Sequence, residues 1–124
     1  MLFTPFTFQN GKTAKNRIFK SAMEEQLAQN DQPSEKLVRL YGAWAEGGAG
    51  VLVTGNVMVA ESGKGSINDV LISDDRALEM LKKWAKAACK TTRCSSCKSI
   101  MRANSRLRWS IKHRLHRAPC RWWA

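Results

Sequence analysis

"PSEKLVRLYGAWAEGGAGVLVTGNVMV", Pro33 to Val59, holds a helix signature and a strand signature in one stretch, and its reading decides the fold. Leu37, Leu40, Tyr41, Trp44 and Ala45 recur at helical spacing. Ser34 stands where a helix wants an N-cap, and Gly47 or Gly48 where it wants a stop. The run "GVLVTGNVMV", Gly50 to Val59, is then almost continuously apolar, as expected of a parallel strand buried on both faces.

The same arrangement lies on either side. Upstream, "RIFKSAM", Arg17 to Met23, predicts a short strand, and "LFTPFTFQNGKTAKNRIF", Leu2 to Phe19, alternates around Asn10-Gly11, the dipeptide of a two-residue hairpin turn. Downstream, a polar, glycine-containing loop from about Ala60 to Ser73 leads into "DDRALEMLKKWAKAA". There Asp74 or Asp75 is placed to start a helix, with Leu78, Leu81, Ala85 and Ala88 along one face. The predicted order is hairpin, strand, helix, strand, helix. Two βα units of this kind need parallel strands and crossover helices, which places the chain in the α/β class. A dinucleotide-binding reading of "GGAGVLVTG" fails, because these glycines precede a strand instead of following one and opening a helix. A helix stop and a tight strand entry account for them.

Composition divides the 124-residue chain at Ala88. Residues 1–88 carry eleven Lys and Arg against ten Asp and Glu, whereas residues 89–124 carry ten basic residues and no acid, so the net charge of +11 belongs to the tail. All four cysteines (Cys89, Cys94, Cys97, Cys120) and both histidines (His113, His116) lie there too. No apolar run approaches the roughly 20 residues of a membrane span, and no signal-peptide core follows Met1. The expected location is cytoplasmic, with the thiols reduced.

The segments "LFTPFT", "KNRIFKSAM", "YGAWAEGGAGVLVTGNVMV" and the "DD" before the second helix resemble, in order and spacing, the Old Yellow Enzyme or NADH:flavin oxidoreductase family, from about Leu2 to Ala88. The resemblance implies a (β/α)8 TIM barrel with FMN at the C-terminal ends of its strands, NAD(P)H as reductant and a small-molecule acceptor such as an activated alkene. Of that barrel, residues 1–88 correspond to the hairpin and the first two βα units. The resemblance carries the flavin-facing positions onto Ser21, Ala22, Met23 and Glu24 at the end of the first strand, and onto Thr54, Gly55 and Asn56 at the end of the second. Family members commonly have Pro where this chain has Ala22, and Thr or Cys where it has Glu24. A carboxylate near the ring disfavours an anionic reduced flavin. Core packing is the alternative for Met23, and a solvated strand end the alternative for Glu24 and Glu25. Gln26 stands in the region where family members place a substrate-side Tyr.

Beyond Ala88 the family's third-strand motif, Gln-x-x-His-x-Gly and then Arg or Lys, is absent. Three readings compete for "CSSCKSIMRANS", Cys94 to Ser105, and for the residues after it. A basic arm with Trp109, Trp122 and Trp123 suits nonspecific stacking on single-stranded nucleic acid. Cys94, Cys97, His113 and His116 form a C-x2-C-x15-H-x2-H pattern, although zinc fingers separate their histidines by three to five residues. The third reading is a shift of reading frame. Joining the last base of each codon to the first two of the next, Cys97 through Ser105 permits Gln-Ile-Asn-His-Ala-Gly-Lys-Gln, the missing motif. The codons from His113 onward permit Pro-Val-Ala-Pro-Ser-Ala-Val, a second family-like segment. On this reading residues 89–124 form an out-of-frame tail with no reason to order.

Overall fold

The computed structural model describes residues 1–90. The tail readings on Cys94, Cys97, His113, His116, Cys120 and the three tail tryptophans lie outside the described residues.

The N-terminal hairpin pairs β1 (Phe6–Thr7) antiparallel with β2 (Thr13–Ala14), Phe6 opposite Ala14 and Thr7 opposite Thr13. Its turn differs from the two-residue expectation. Phe8 N–H donates to the Lys12 carbonyl at 2.8 Å and Gly11 N–H to the Phe8 carbonyl at 2.9 Å, so three residues form the loop. Only Gly11, at φ 77°, takes the left-handed conformation that the shorter turn would demand of Asn10 as well. The Asn10 side chain instead accepts the Lys12 N–H at 3.2 Å. Phe8 then meets Phe19 edge-on with ring centres 6.1 Å apart, which ties the hairpin to the first strand of the α/β layer.

That strand, β3 (Phe19–Lys20), pairs parallel with β4 (Val51–Leu52), Phe19 beside Val51 and Lys20 beside Leu52. Between them runs α1 (Glu35–Glu46), capped by Ser34, whose hydroxyl accepts the Leu37 N–H. The helix ends as its glycines predict. Gly47 N–H returns to the Ala43 carbonyl at 2.8 Å, and Gly48 turns the chain at φ 94°. α1 buries Leu37, Tyr41 and Ala45 as expected and leaves Leu40 and Trp44 half-buried.

The apolar run Gly50 to Val59 is two strands, not one. It breaks at Thr54 to Asn56, and β5 (Val57–Met58) pairs parallel with β6 (Val70–Leu71) in the segment expected to be loop. Val57, Met58 and Val70 are buried, so the apolar run reported burial, while the break comes from the close approach of the residues after β3 to Gly55. The connection between β5 and β6 contains a single 3-10 turn, Glu61–Gly63.

α2 (Leu78–Ala88) covers the second unit. Neither Asp74 nor Asp75 stands at the cap position. Ala77 holds the cap position; Asp74 instead accepts from the Arg76 N–H at 3.0 Å and pairs with its guanidinium at 2.7 Å, organising the turn before the helix. Leu81, Ala85 and Ala88 are buried on the predicted face, joined by Trp84 and Ala87, whereas Leu78 is half-buried. Trp84 stands edge-on to Tyr41 with ring centres 5.1 Å apart, and Leu37, Ala45, Leu52, Val57 and Leu81 close the core around them. The result is an α/β layer of two parallel strand pairs and two helices, an incomplete (β/α) barrel, with no closed barrel among the described residues.

Candidate functional site

β3 and β4 run side by side in the same direction, so the residues beyond their C-terminal ends emerge at one end of the layer. These are Ser21 to Glu24 after β3 and Thr54 to Asn56 after β4. The structure brings the two predicted segments into contact through their backbones. A Cβ on Gly55 would lie 1.8 Å from the Met23 carbonyl oxygen and 2.1 Å from Glu25 Oε2, so only glycine permits this approach.

The seven predicted positions divide by exposure. Ser21, Ala22, Met23, Glu24 and Asn56 are exposed, Met23 at 52%, which removes Met23 from the core of this unit. Thr54 and Gly55 are buried, Thr54 to 1% exposure. The backbone groups of Ser21 to Glu24 make no hydrogen bond among the described residues. An exposed strip of chain thus borders a buried glycine.

Behind the strip lies a cluster that the sequence reading did not identify. Lys20 and Glu25 form an ion pair at 2.8 Å with side chains 11% and 7% exposed. Lys20 Nζ also donates to the Val53 carbonyl at 3.3 Å and sits 4.1 Å from the centre of the Trp44 ring, a cation–π position. The Tyr41 hydroxyl donates to Glu25 Oε1 at 2.9 Å and accepts the Gly55 N–H at 3.2 Å. Glu24 and Glu25, taken together as a solvated strand end, therefore part company: Glu24 is exposed and Glu25 is enclosed. One sequence signal was available. Tyr41 occupies the apolar face of a helix, and a buried phenol needs a polar partner.

The family model described as NADH:flavin oxidoreductase / NADH oxidase matches residues 1–95. The chain belongs to that family. The chain is 37% identical over 87 residues to the NADH-dependent flavin oxidoreductase iliE of Hypocrea jecorina (strain QM6a), an alignment covering 66% of this chain and 22% of that protein. It is 38% identical over 88 residues to the NADH-dependent flavin oxidoreductase iccE of Talaromyces variabilis, covering 67% and 21%. The chain thus spans about a fifth of the length of these curated relatives. Among solved structures it resembles Old Yellow Enzyme from Pichia sp. AKU4542, with TM-score 0.70, 23% identity and coverage of 81% of this chain and 25% of that one. Morphinone reductase superposes with TM-score 0.68 at 17% identity, covering 82% and 25%. At these identities the structural likenesses bear on the fold alone.

Among the described residues no group of three His, Cys, Asp or Glu side chains could hold a metal ion, and no helix is long and apolar enough to cross a membrane.

Proposed function

We propose that residues 1–88 are the flavin-facing beginning of an FMN-dependent NAD(P)H:acceptor oxidoreductase of the ene-reductase type, acting in the cytoplasm. The observation that carries this reading is the joining of Met23 to Gly55 at the common end of two parallel strands, where barrel enzymes keep their active sites. Ser21, Ala22, Met23 and Glu24 would line the ring from one side, and Thr54, Gly55 and Asn56 from the other. FMN held by these residues would supply the hydride chemistry between NAD(P)H and an activated alkene. The chain's own part is placement. The exposed backbone of residues 21–24 offers hydrogen bonds to a polar ring edge, Gly55 allows close approach, and Glu24 sets the local charge.

The described residues hold two βα units of such a barrel. Barrels of this kind bind phosphate through loops after their seventh and eighth strands, and two βα units contain neither. We infer that residues 89–124 are the out-of-frame continuation of the same gene, and that the 124-residue chain alone is inactive. Two measurements test these statements. The nucleotide sequence spanning the codons for Cys97 to Ala103 should spell Gln-x-x-His-x-Gly one base out of register; codons that cannot do so overturn the frame reading. Restoring the frame should then yield a yellow protein whose flavin is reduced by NAD(P)H and reoxidised by an enone. A folded, restored barrel without flavin would overturn the functional reading. For the chain as it stands, FMN should not survive gel filtration in stoichiometric amount.

A further inference from the structure

We propose that Glu25 is a positioning residue for the Gly55 peptide, and that Lys20 serves to keep its charge buried there; the inference rests on the flavin reading of the Ser21–Glu24 and Thr54–Asn56 strip. One side chain grips Gly55 from two directions. Oε2 lies against the glycine α-carbon, and Oε1 takes the hydroxyl proton of Tyr41, whose oxygen in turn accepts the Gly55 N–H. The N–H is thereby fixed toward Tyr41, and the Thr54 carbonyl, antiparallel to it in the same planar peptide, is turned away from Tyr41. The orientation of a backbone acceptor beside the strip is thus set by a carboxylate that lies outside the strip.

A buried carboxylate requires a counter-charge. Lys20 provides it from the preceding strand, and its ammonium is itself fastened by the Val53 carbonyl and the Trp44 ring. Lys20 and Val53 belong to the two strand ends whose extensions form the strip, so the cluster also fixes the spacing of those ends. The charge consequence is specific. Glu25 is paired by contact, whereas the exposed Glu24 accepts the Gln26 side-chain amide and has no ion pair among the described residues.

The test is amide hydrogen exchange followed by NMR on the full 124-residue chain, with four forms compared: parent, Tyr41→Phe, Lys20→Met, and Lys20→Met with Glu25→Gln. Tyr41→Phe removes the acceptor and should speed Gly55 exchange about tenfold, with the Ala45 amide in α1 unchanged. Lys20→Met should speed it as well, since a carboxylate without its counter-charge leaves the enclosed position. Adding E25Q should bring Gly55 exchange back to within about threefold of the parent, because the amide oxygen still accepts from Tyr41 and no charge remains to be compensated. The Ala45 amide separates positioning from stability alone, since a global loss of stability would speed both amides in the same variants. The proposal is overturned if Tyr41→Phe leaves Gly55 exchange unchanged, or if the double variant exchanges no more slowly than Lys20→Met. Exchange requires no flavin. A restored barrel that fails to bind FMN would therefore refute the functional reading without touching this one, and an unmoved Gly55 amide would do the reverse.

Discussion

The side-chain oxygen of Asn16 occupies the place where Gly50 would carry a side chain: a Cβ built there lies 2.4 Å from Oδ1 and 2.5 Å from the Asn16 carbonyl. Asn16 is 7% exposed and its amide is committed elsewhere, Nδ2 donating to the Gly48 carbonyl at 2.7 Å while Oδ1 accepts the Ile18 N–H at 3.0 Å. The contact joins the entries of β3 and β4, and it includes backbone, which cannot step aside as a flexible side chain could. Gly50→Ala should destabilise the chain by about 2–4 kcal/mol, in the range of other overpacking changes that force backbone to move. Urea unfolding followed by tryptophan fluorescence would measure it; a change below about 0.5 kcal/mol would contradict the geometry.

Gly42 should behave oppositely. It lies in the middle of α1 with a negative φ, and a Cβ there would meet Ala87 of α2 at 3.9 Å, ordinary contact. Gly42→Ala removes the backbone-entropy penalty of a helical glycine and should stabilise the chain by about 0.5–1 kcal/mol in the same unfolding experiment. Gly42→Val, with two further carbons directed at the neighbouring helix, should lose that gain.

Trp84 is the side chain on which the two helices meet, 2% exposed and edge-on to Tyr41. Trp84→Ala should cost about 3–5 kcal/mol, and Trp84→Phe distinctly less because the edge-on contact survives. Near-ultraviolet circular dichroism should lose its fixed aromatic signal in the alanine variant and retain most of it in the phenylalanine variant.

The ten basic residues and absent acids of residues 89–124 predict nonspecific attraction to nucleic acid. Binding of the full chain to single-stranded DNA of random sequence should weaken steeply as salt rises from about 50 to 200 mM, and a chain ending at Lys90 should lose it. Salt-resistant, sequence-selective binding would instead favour a tail selected for recognition.

The helices were legible in the sequence because capping and spacing are local. Ser34, Gly47 and the Leu37–Tyr41–Ala45 face are where the pattern put them, and the parallel pairing of Phe19 with Val51 agrees with the βα order. The second strand was read as continuous because an unbroken apolar run looks alike whether one strand crosses a core or two meet in it. What breaks it at Gly55 is the Met23 carbonyl arriving from 32 positions earlier, an event no local pattern records. For the same reason Ser21–Glu24 and Thr54–Asn56 could be named from resemblance, whereas Lys20, Glu25 and Tyr41 could not be assembled. Each has an ordinary local explanation, as a strand-edge cation, a solvated acid and a core aromatic, and their joint role exists only once the strands are side by side.

The parallel pairing of β3 with β4 has a consequence in time. Phe19 and Val51 are partners, so the ribosome must add 32 further residues after the first strand before its neighbour exists. At about 5–20 residues per second that interval is on the order of 2–6 s. Throughout it β3 is a nascent edge with unclaimed amides, the state in which strands recruit the wrong chain. Lys20 is half of that two-residue strand, and a lysine on an open edge discourages such pairing. The residue that later fastens Glu25 and Val53 therefore guards the strand before either contact can form.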